Sequence, residues 1–388
     1  MIYLLIVLLN VFLIYNYDIK GRNVNKDLWY SRLLFIFIAL AGFRYRIGSD
    51  TVGYLYDYYH DNPSIQELVN NFSFDSEILF RGILSLFHSW GFKFYIFQIV
   101  HAVFVNVLLF KYFKKHSQYW FTCAFFYFIW MYSFYNTEEL RATISVVLYL
   151  YAFEYFFKNK WIKGYLLILI GCFFHRSSYF LLVTPLFIFL KFDWKGCASI
   201  IAAFIGGAVI KVTMGDYLDL LAISEDAAGR MESYMQTRYW EQNNNIYSLL
   251  VQIVPFILYP ISSYLYTKRR NYDSQLAQLE PLFVMGLMCV AAQANVELFY
   301  RFVHFYAIIF IIYFSNLAIT IVKCNKKKMG LASIVLSLVV FIPLFVAIGR
   351  QKADIWSRYY PYSSVFERSI DRQRELDYSY DLDRKSVV

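Results

Sequence analysis

The chain has 388 residues, of which 59% are hydrophobic and only 17% charged, and its mean hydropathy is +0.43. Soluble domains carry about 25% charged residues, so this composition excludes a soluble globular protein. The net charge of +9 does not indicate nucleic-acid binding, because the lysines fall in short loops between apolar segments, where they set membrane topology.

Apolar segments of a length that suits a bilayer of about 30 Å recur from end to end. They are continuously apolar, which excludes the alternating strands of a transmembrane β-barrel. The predicted spans are 2–17, 28–43, 94–113, 118–135, 140–157, 161–175, 177–190, 196–213, 247–266, 280–296, 299–319 and 330–348. We therefore predict an all-α polytopic membrane protein with about 12 or 13 transmembrane helices. It forms a single transmembrane domain over 1–348, with outer loops 44–77 and 214–246 and a charged, tyrosine-rich tail over 349–388.

Segment 78–91 is shorter than the other apolar segments and carries Arg81 and His88. It is a thirteenth span, a re-entrant piece or an interfacial helix. If it does not cross, six lysine- and arginine-rich loops fall on one side, which the positive-inside rule makes cytoplasmic. If it crosses, the first basic loop opposes the later five. The charge pattern favours the non-crossing interpretation.

The non-crossing topology gathers six cationic side chains from distant parts of the chain on the opposite, non-cytoplasmic side. These are Arg44, Arg46, Arg141, His175, Arg176 and Arg301, each at the end of an apolar segment. Ionisable residues at such positions are a functional-site hypothesis by default. Guanidinium groups brought together repel one another, and a bound polyanion relieves that repulsion. A lipid-linked diphosphate fits, because the planar fork of arginine matches phosphate oxygens in pairs.

The segment Arg44–Thr51 follows the second span. Gly48 permits a turn, and Asp50 or Thr51 can cap a following short helix. Tyr45 and Asp50 are predicted supporting residues for a diphosphate site. The alternative is a helix end with two snorkelling arginines and an interfacial aromatic belt.

Arg141 stands at a helix start two residues after Glu139, which is a predicted supporting residue like Glu297 and Tyr300, and a cation at a helix start opposes the helix dipole. A helix N-terminus attracts phosphate, so a bound anion accounts for this placement better than a local pair with Glu139. Glu297 and Arg301 are one turn apart, with Tyr300 between them, and a simple i,i+4 ion pair is an equally good interpretation of them.

His175 and Arg176 form a polar knot between two apolar segments. Next to an arginine, a neutral imidazole is favoured, and it is able to deprotonate a sugar hydroxyl. A structural hydrogen-bonding histidine is the alternative. The five cysteines have no metal-type spacing, and no nucleotide-binding or metal motif is present, so the sequence predicts neither a metal site nor a cofactor.

Three of these stretches together resemble the EpsG-type family of polysaccharide polymerases, which is related to the Wzy O-antigen polymerases. They are Arg44–Thr51 with the tyrosines after it, Glu139–Ser145 opening a helix, and Phe173–Ser178 entering the next non-cytoplasmic turn. The resemblance spans about residues 1–320 and leaves the tail 349–388 unexplained.

The resemblance implies a metal-independent glycosyltransferase of the bacterial inner membrane, similar to the GT-C-type membrane glycosyltransferases in fold, with its site facing the periplasm or outside. Its product would be an O-antigen, a capsule or an exopolysaccharide. It implies an undecaprenyl-diphosphate-linked oligosaccharide as substrate, with a chain-length regulator and a flippase of the same pathway as partners. The diphosphate would be held by Arg44, Arg46, Arg141, Arg176 and Arg301. The role of His175 as base is our inference from its chemistry.

Two rival functions share these substrates: a flippase of the lipid-linked oligosaccharide, and an O-antigen ligase-type transferase. A flippase is expected to show internal symmetry and broken helices near the midplane, whereas charge here gathers at one rim. The sugars, the linkage and the stereochemical outcome are not encoded in any motif of the sequence.

Overall fold

The computed structural model describes residues 2–71, 77–213, 274–324, 358–372 and 374. Their regular structure is helical, and their β-type pairing is an isolated antiparallel bridge between Arg44 and Ser364. The helices, numbered in chain order, are α1 Ile2–Leu13, α2 Lys26–Gly42, α3 Ser49–His60, α4 Ile65–Asn70, α5 Ile78–Ser89, α6 Phe94–His116, α7 Trp120–Trp130, α8 Leu140–Phe157, α9 Trp161–Phe174, α10 Trp194–Thr213, α11 Ser274–Gln278, α12 Glu280–Gln293 and α13 Tyr300–Cys324. Short π-helical turns extend α1 (Ile14–Ile19) and precede α8 (Phe134–Glu138), and 3-10 turns cover Arg176–Leu182, Thr184–Phe187 and Glu297–Phe299.

Five helical segments in the described residues are long and apolar enough to cross a membrane. They are Ile2–Ile19, Phe94–His116, Leu140–Phe157, Trp194–Thr213 and Tyr300–Thr320. Leu4, Leu8 and Phe12 on α1 are each more than half exposed, an arrangement typical of helices that are apolar on every face and meet lipid. The prediction of an all-α polytopic membrane protein is confirmed.

The predicted span 177–190 is wrong as a continuous α-helix. His175 is extended (φ −151°, ψ 121°), and the following residues form two 3-10 turns, Arg176–Leu182 and Thr184–Phe187. Pro185 lies in the second turn and lacks a backbone N–H, which disfavours a longer helix. The predicted spans 247–266 and 330–348 and the loop 214–246 lie outside the described residues.

Helix α5 corresponds to segment 78–91, whose crossing was left open. Its 12 residues extend about 18 Å, short of a bilayer core. Glu77 directly precedes α5, and its carboxylate accepts a hydrogen bond from Arg141. Four residues separate the end of α5 from the start of α6, and Gln98 of α6 donates to the carbonyl of Arg44 at 3.2 Å. Both ends of α5 thus lie at the arginine-bearing end of the helices, which favours the non-crossing interpretation.

The chain forms two compact units, Met1–Pro185 with Arg350–Val387 and Leu186–Gly349 with Val388. In the first unit, α2 packs on α6 and α8 on α9. An aromatic core lies between α3, α5, α6, α8 and α9; its buried members are Tyr54, Tyr58, Phe80, Leu84, Phe94, Phe97, Leu140, Ile144 and Phe174. In the second unit, α12 packs against α10 and α13.

Two regions predicted as a loop and a tail contain ordered structure. The described part of loop 44–77 contains α3 and α4, and α4 begins with a capping box between Ser64 and Glu67. Residues 358–366 of the predicted tail hydrogen-bond along the backbone of residues 43–48 in the first unit. Both regions therefore help to build the end of this unit that carries the arginines.

Candidate functional site

A single buried carboxylate joins two of the predicted site segments. Glu77 is 7% exposed; its Oε1 is hydrogen-bonded to Nδ1 of His175 at 2.8 Å, and its Oε2 forms an ion pair with Nη1 of Arg141. The backbone N–H of Arg176 also donates to Oε1, at 3.4 Å. Three residues that the sequence predicted for the site therefore meet on one carboxylate that it did not single out.

Each member of this cluster stands where a helix begins or ends. Arg141 is the second residue of α8, directly after the π-helical turn Phe134–Glu138 and Glu139. His175 ends α9 in an extended conformation. Glu77 precedes α5 in the left-handed region, with φ 48°, which is uncommon for a residue other than glycine. Such backbone positions are frequent at functional sites.

Tyr54 of α3 is a second partner of the Arg141 side chain. Nε of Arg141 donates to the Tyr54 hydroxyl at 3.0 Å, and the guanidinium lies 5.3 Å from the ring centroid of Tyr54. Tyr54 lies on α3, and its side chain is buried in the aromatic core. The Arg141 side chain is 38% exposed in spite of these contacts, so it is oriented and still accessible to a ligand.

The charges of the cluster fix the proton positions. Burial raises the pKa of Glu77, but the hydrogen bonds and charges of His175 and Arg141 outweigh it and lower that pKa to about 2. Glu77 is therefore anionic at neutral pH, and Nδ1 of His175 must donate to it. Within the described residues, neither Nε2 of His175 nor the guanidinium of Arg176 has a hydrogen-bond partner. These two groups are the ones available to a substrate.

Arg44 lies inside the first unit and is 2% exposed. Its Nη1 donates to the carbonyl of Ala41 and its Nη2 to Thr51 Oγ1 at 3.3 Å. These contacts order residues 44–51 around the buried guanidinium, and the contact of Arg44 with a diphosphate stays a prediction. Arg46 and Tyr45 are half-buried, and Arg46 adopts a left-handed conformation with φ 49°.

Helix α3 is capped by Glu138 and not, as predicted, by Asp50 or Thr51. The backbone N–H groups of Ser49 and Asp50 donate to the Glu138 carboxylate at 3.1 and 2.9 Å. Gly48 has φ 93°, and a Cβ there would lie 2.6 Å from Cβ of Thr137, so the close approach requires glycine. Burial, with nearby Asp50, raises the pKa of Glu138 in spite of these donors.

Glu139, a predicted supporting residue, connects the π-helical turn to α8. Its carbonyl accepts a hydrogen bond from the Thr143 hydroxyl at 2.7 Å. The carboxylates that engage the other site segments are its neighbour Glu138 and the distant Glu77.

The fourth predicted segment belongs to the second unit. Glu297 begins a 3-10 turn, and Tyr300 and Arg301 are the first residues of α13. Nε of Arg301 donates to the Tyr300 hydroxyl at 3.4 Å, and its guanidinium lies 5.9 Å from that ring. That Arg301 shares a diphosphate with the arginines of the first unit stays a prediction.

Glu77, Tyr54 and Glu138 are the residues that sequence reasoning missed. Glu77 offers one signal, an acid directly before a short apolar helix, but no motif spacing links it to Arg141 or His175. The described residues contain no group of three or more His, Cys, Asp or Glu side chains placed to hold a metal ion.

Comparison with known proteins gives one family. The sequence model of the EpsG family matches residues 27–364, a range that includes Glu77, Arg141, His175 and Arg176. No curated protein and no solved structure matches the chain.

Proposed function

The chain belongs to the EpsG family, and from that premise we propose that it is a polysaccharide polymerase that transfers glycan between lipid-linked substrates. The donor is a glycan on undecaprenyl diphosphate, and the acceptor is a lipid-linked repeat unit. The product is a bacterial surface polysaccharide: an O-antigen, a capsule or an exopolysaccharide. The single observation that carries this proposal is the cluster of Arg141, His175 and Arg176 around the carboxylate of Glu77.

Arg141 and Arg176 are the proposed ligands of the donor diphosphate. Arg141 is held by Glu77 and Tyr54 and is therefore oriented before the substrate arrives. The guanidinium of Arg176, which has no protein partner in the described residues, can give both edges to phosphate oxygens. Preorganised donors of this kind stabilise the charge that develops on a leaving group. Arg46 is proposed as a further contact.

His175 is the proposed general base. With Nδ1–H donating to Glu77, the lone pair is on Nε2, which takes the proton from the acceptor hydroxyl. The acceptor oxygen then bonds to the anomeric carbon of the donor, while the bond from that carbon to the diphosphate oxygen breaks. The electron pair of that bond leaves on the lipid diphosphate. A carboxylate that fixes the tautomer and orientation of a base is familiar from hydrolases.

This reaction needs no metal ion, because two arginines neutralise the leaving diphosphate. We place the site on the periplasmic or outer face of the inner membrane. Basic side chains such as Lys26, Lys114 and Lys115 lie at the other end of the first unit, and an excess of basic residues is typical of the cytoplasmic side. We also propose that the fold is of the GT-C type. The proposed partners are a chain-length regulator and a flippase of the same pathway.

Deletion of the gene in its host tests the proposal through the surface glycan that remains. We expect a single repeat unit on its normal anchor, because transport and attachment continue without polymerisation. Complete loss of surface glycan would instead favour a flippase or a ligase. The purified protein, given the lipid-linked repeat extracted from the deletion strain, is expected to make polymer in excess chelator. Activity that disappears with chelator and returns with magnesium would contradict the metal-free reaction.

A further inference from the structure

Residues 358–366 run along the segment that precedes α3. The backbone N–H of Tyr45 donates to the carbonyl of Ser363 and that of Val365 to the carbonyl of Phe43, both at 2.9 Å. The N–H of Gly48 donates to the carbonyl of Arg358 at 3.3 Å. Three backbone hydrogen bonds thus join residues 43–48 to residues 358–366, which are about 300 residues further along the chain.

The side chains of this C-terminal segment reach the residue that caps α3. The hydroxyl of Tyr359, which is 3% exposed, donates to Oε1 of Glu138 at 3.2 Å, and Nη1 of Arg358 donates to Ser49 Oγ at 3.3 Å. Glu138 also accepts the N–H groups of Ser49 and Asp50. One buried carboxylate therefore binds the C-terminal segment and the start of α3 together.

The same segment is anchored to the first two helices. The Tyr3 hydroxyl donates to the carbonyl of Tyr359 at 3.0 Å, and the Tyr362 hydroxyl donates to the carbonyl of Leu40 at 3.1 Å. Ser363 is 2% exposed. The segment is thus packed on α1 and α2 while it holds Glu138, so it ties α3 to the rest of the unit.

The position of α3 matters for the site because α3 carries Tyr54, which holds Nε of Arg141. Tyr54 is five residues beyond Ser49, and a helix rises about 1.5 Å per residue. A shift of the first turn of α3 therefore moves the Tyr54 hydroxyl relative to Arg141. We propose that residues 358–366 are a clasp that, through Glu138, positions Tyr54 and Arg141 for the donor diphosphate. This rests on the proposed function, in which Arg141 is a phosphate ligand, and it adds Glu138 as a positioning residue.

Thiol labelling tests the clasp without measuring activity. Ser363→Cys is made in a background in which the five native cysteines are replaced, and the purified protein is treated with a maleimide. We expect slow labelling of Ser363→Cys alone, because residue 363 is buried, and labelling at least about tenfold faster when Glu138→Ala is added, since local opening controls access. Equal labelling rates would overturn the assignment of Glu138 as the residue that holds the clasp.

Steady-state kinetics test the positioning role with conservative variants. Tyr359→Phe removes only the hydroxyl that reaches Glu138, and Glu138→Gln keeps one acceptor oxygen for α3. For the lipid-linked repeat as donor, we expect KM to rise about 3- to 10-fold in Tyr359→Phe, with kcat within about twofold of the unchanged protein, the pattern of binding lost equally in the ground state and the transition state. Glu138→Ala should raise KM further than Glu138→Gln. Ile370→Ala is the matched control, because Ile370 is 61% exposed.

The outcomes separate this proposal from the function on which it rests. An unchanged protein that makes no polymer from lipid-linked repeats contradicts the proposed function. An active unchanged protein whose KM stays constant in Tyr359→Phe and in both Glu138 variants, while labelling at residue 363 increases, leaves the polymerase intact and overturns the positioning role.

Discussion

The two ends of the first unit differ in how deeply their ion pairs are buried. At one end Arg141 and His175 share the buried carboxylate of Glu77, whose side chain is 9% exposed. At the other end Lys114 pairs with Asp27, and the two side chains are 48% and 72% exposed. Lys26 and Lys114 there also lie over the ring of Trp120, at 4.1 and 4.8 Å.

This difference in burial distinguishes a candidate functional site from an ordinary protein surface. Exposed ion pairs contribute about 0–1 kcal/mol, whereas removing one partner of a buried pair costs about 3–5 kcal/mol, because a charge is left without compensation. The exposed pair of Lys114 and Asp27 is therefore expected to tolerate change. At the arginine end, Glu77 and Tyr54 hold Arg141 and His175 in fixed positions, which suits recognition of a diphosphate.

The largest expected effect is that of removing a phosphate ligand. We expect Arg176→Ala to abolish polymer while protein level is unchanged, because its guanidinium has no partner within the described residues and its loss costs the fold little. Arg176→Lys should restore activity poorly, since a point charge cannot bind phosphate oxygens in pairs. Normal polymer length on gels of surface glycan from the alanine variant would contradict the assignment.

Arg141→Ala should also abolish polymer, but it leaves Glu77 as an unpaired buried carboxylate and so carries a folding cost. The double variant Arg141→Ala/Glu77→Gln removes that cost. If Arg141 acts on the diphosphate, protein level recovers in the double variant and polymer does not. Recovery of both would mean that Arg141 serves only to neutralise Glu77.

The next effect concerns the base. We expect His175→Gln to lower kcat by about 10²–10⁴, the usual contribution of a general base, with donor binding changed much less because Arg141 and Arg176 remain. Single-turnover rates and donor affinity are measured on purified protein. Near-normal turnover would show that His175 is a structural hydrogen-bonding residue.

A smaller effect on stability depends on pH through Glu77. Its pKa in the folded protein is lowered to about 2 from an ordinary value of 4.5, so the unfolded chain binds the proton first as pH falls. The stabilisation is complete above about pH 4.5 and is lost as pH falls towards 2. The difference in Tm between the unchanged protein and Glu77→Gln should be constant from pH 7 to about 5 and shrink below it. A difference that stays constant to pH 3 would contradict the ionised state of Glu77.

Three of the four arginine-bearing segments were predicted correctly to lie at one end of the helices, because span lengths and lysine positions determine which helix ends are neighbours. The residues that these site side chains contact were not predictable in this way. Glu77 meets His175 across 98 residues and Glu138 meets Tyr359 across 221, and no periodicity or spacing encodes such contacts. The burial of Arg44 was not predictable for the same reason, since Arg44 contacts Thr51 and pairs with Ser364 of the segment predicted as a charged, tyrosine-rich tail.

The smallest expected effect is at the lysine end, and it tests whether the comparison between the two ends holds. Lys114→Ala breaks the exposed pair with Asp27 and a contact with Trp120. Because both charges are well hydrated, unfolding free energy should fall by less than about 1 kcal/mol, and polymer length and donor KM should not change. Lys114→Glu, which places two acids together, should lower stability slightly more and still leave kcat intact. A loss of polymer in Lys114→Ala at normal protein level would mean that the lysine end also takes part in the reaction, and the division between a site and a surface would fail.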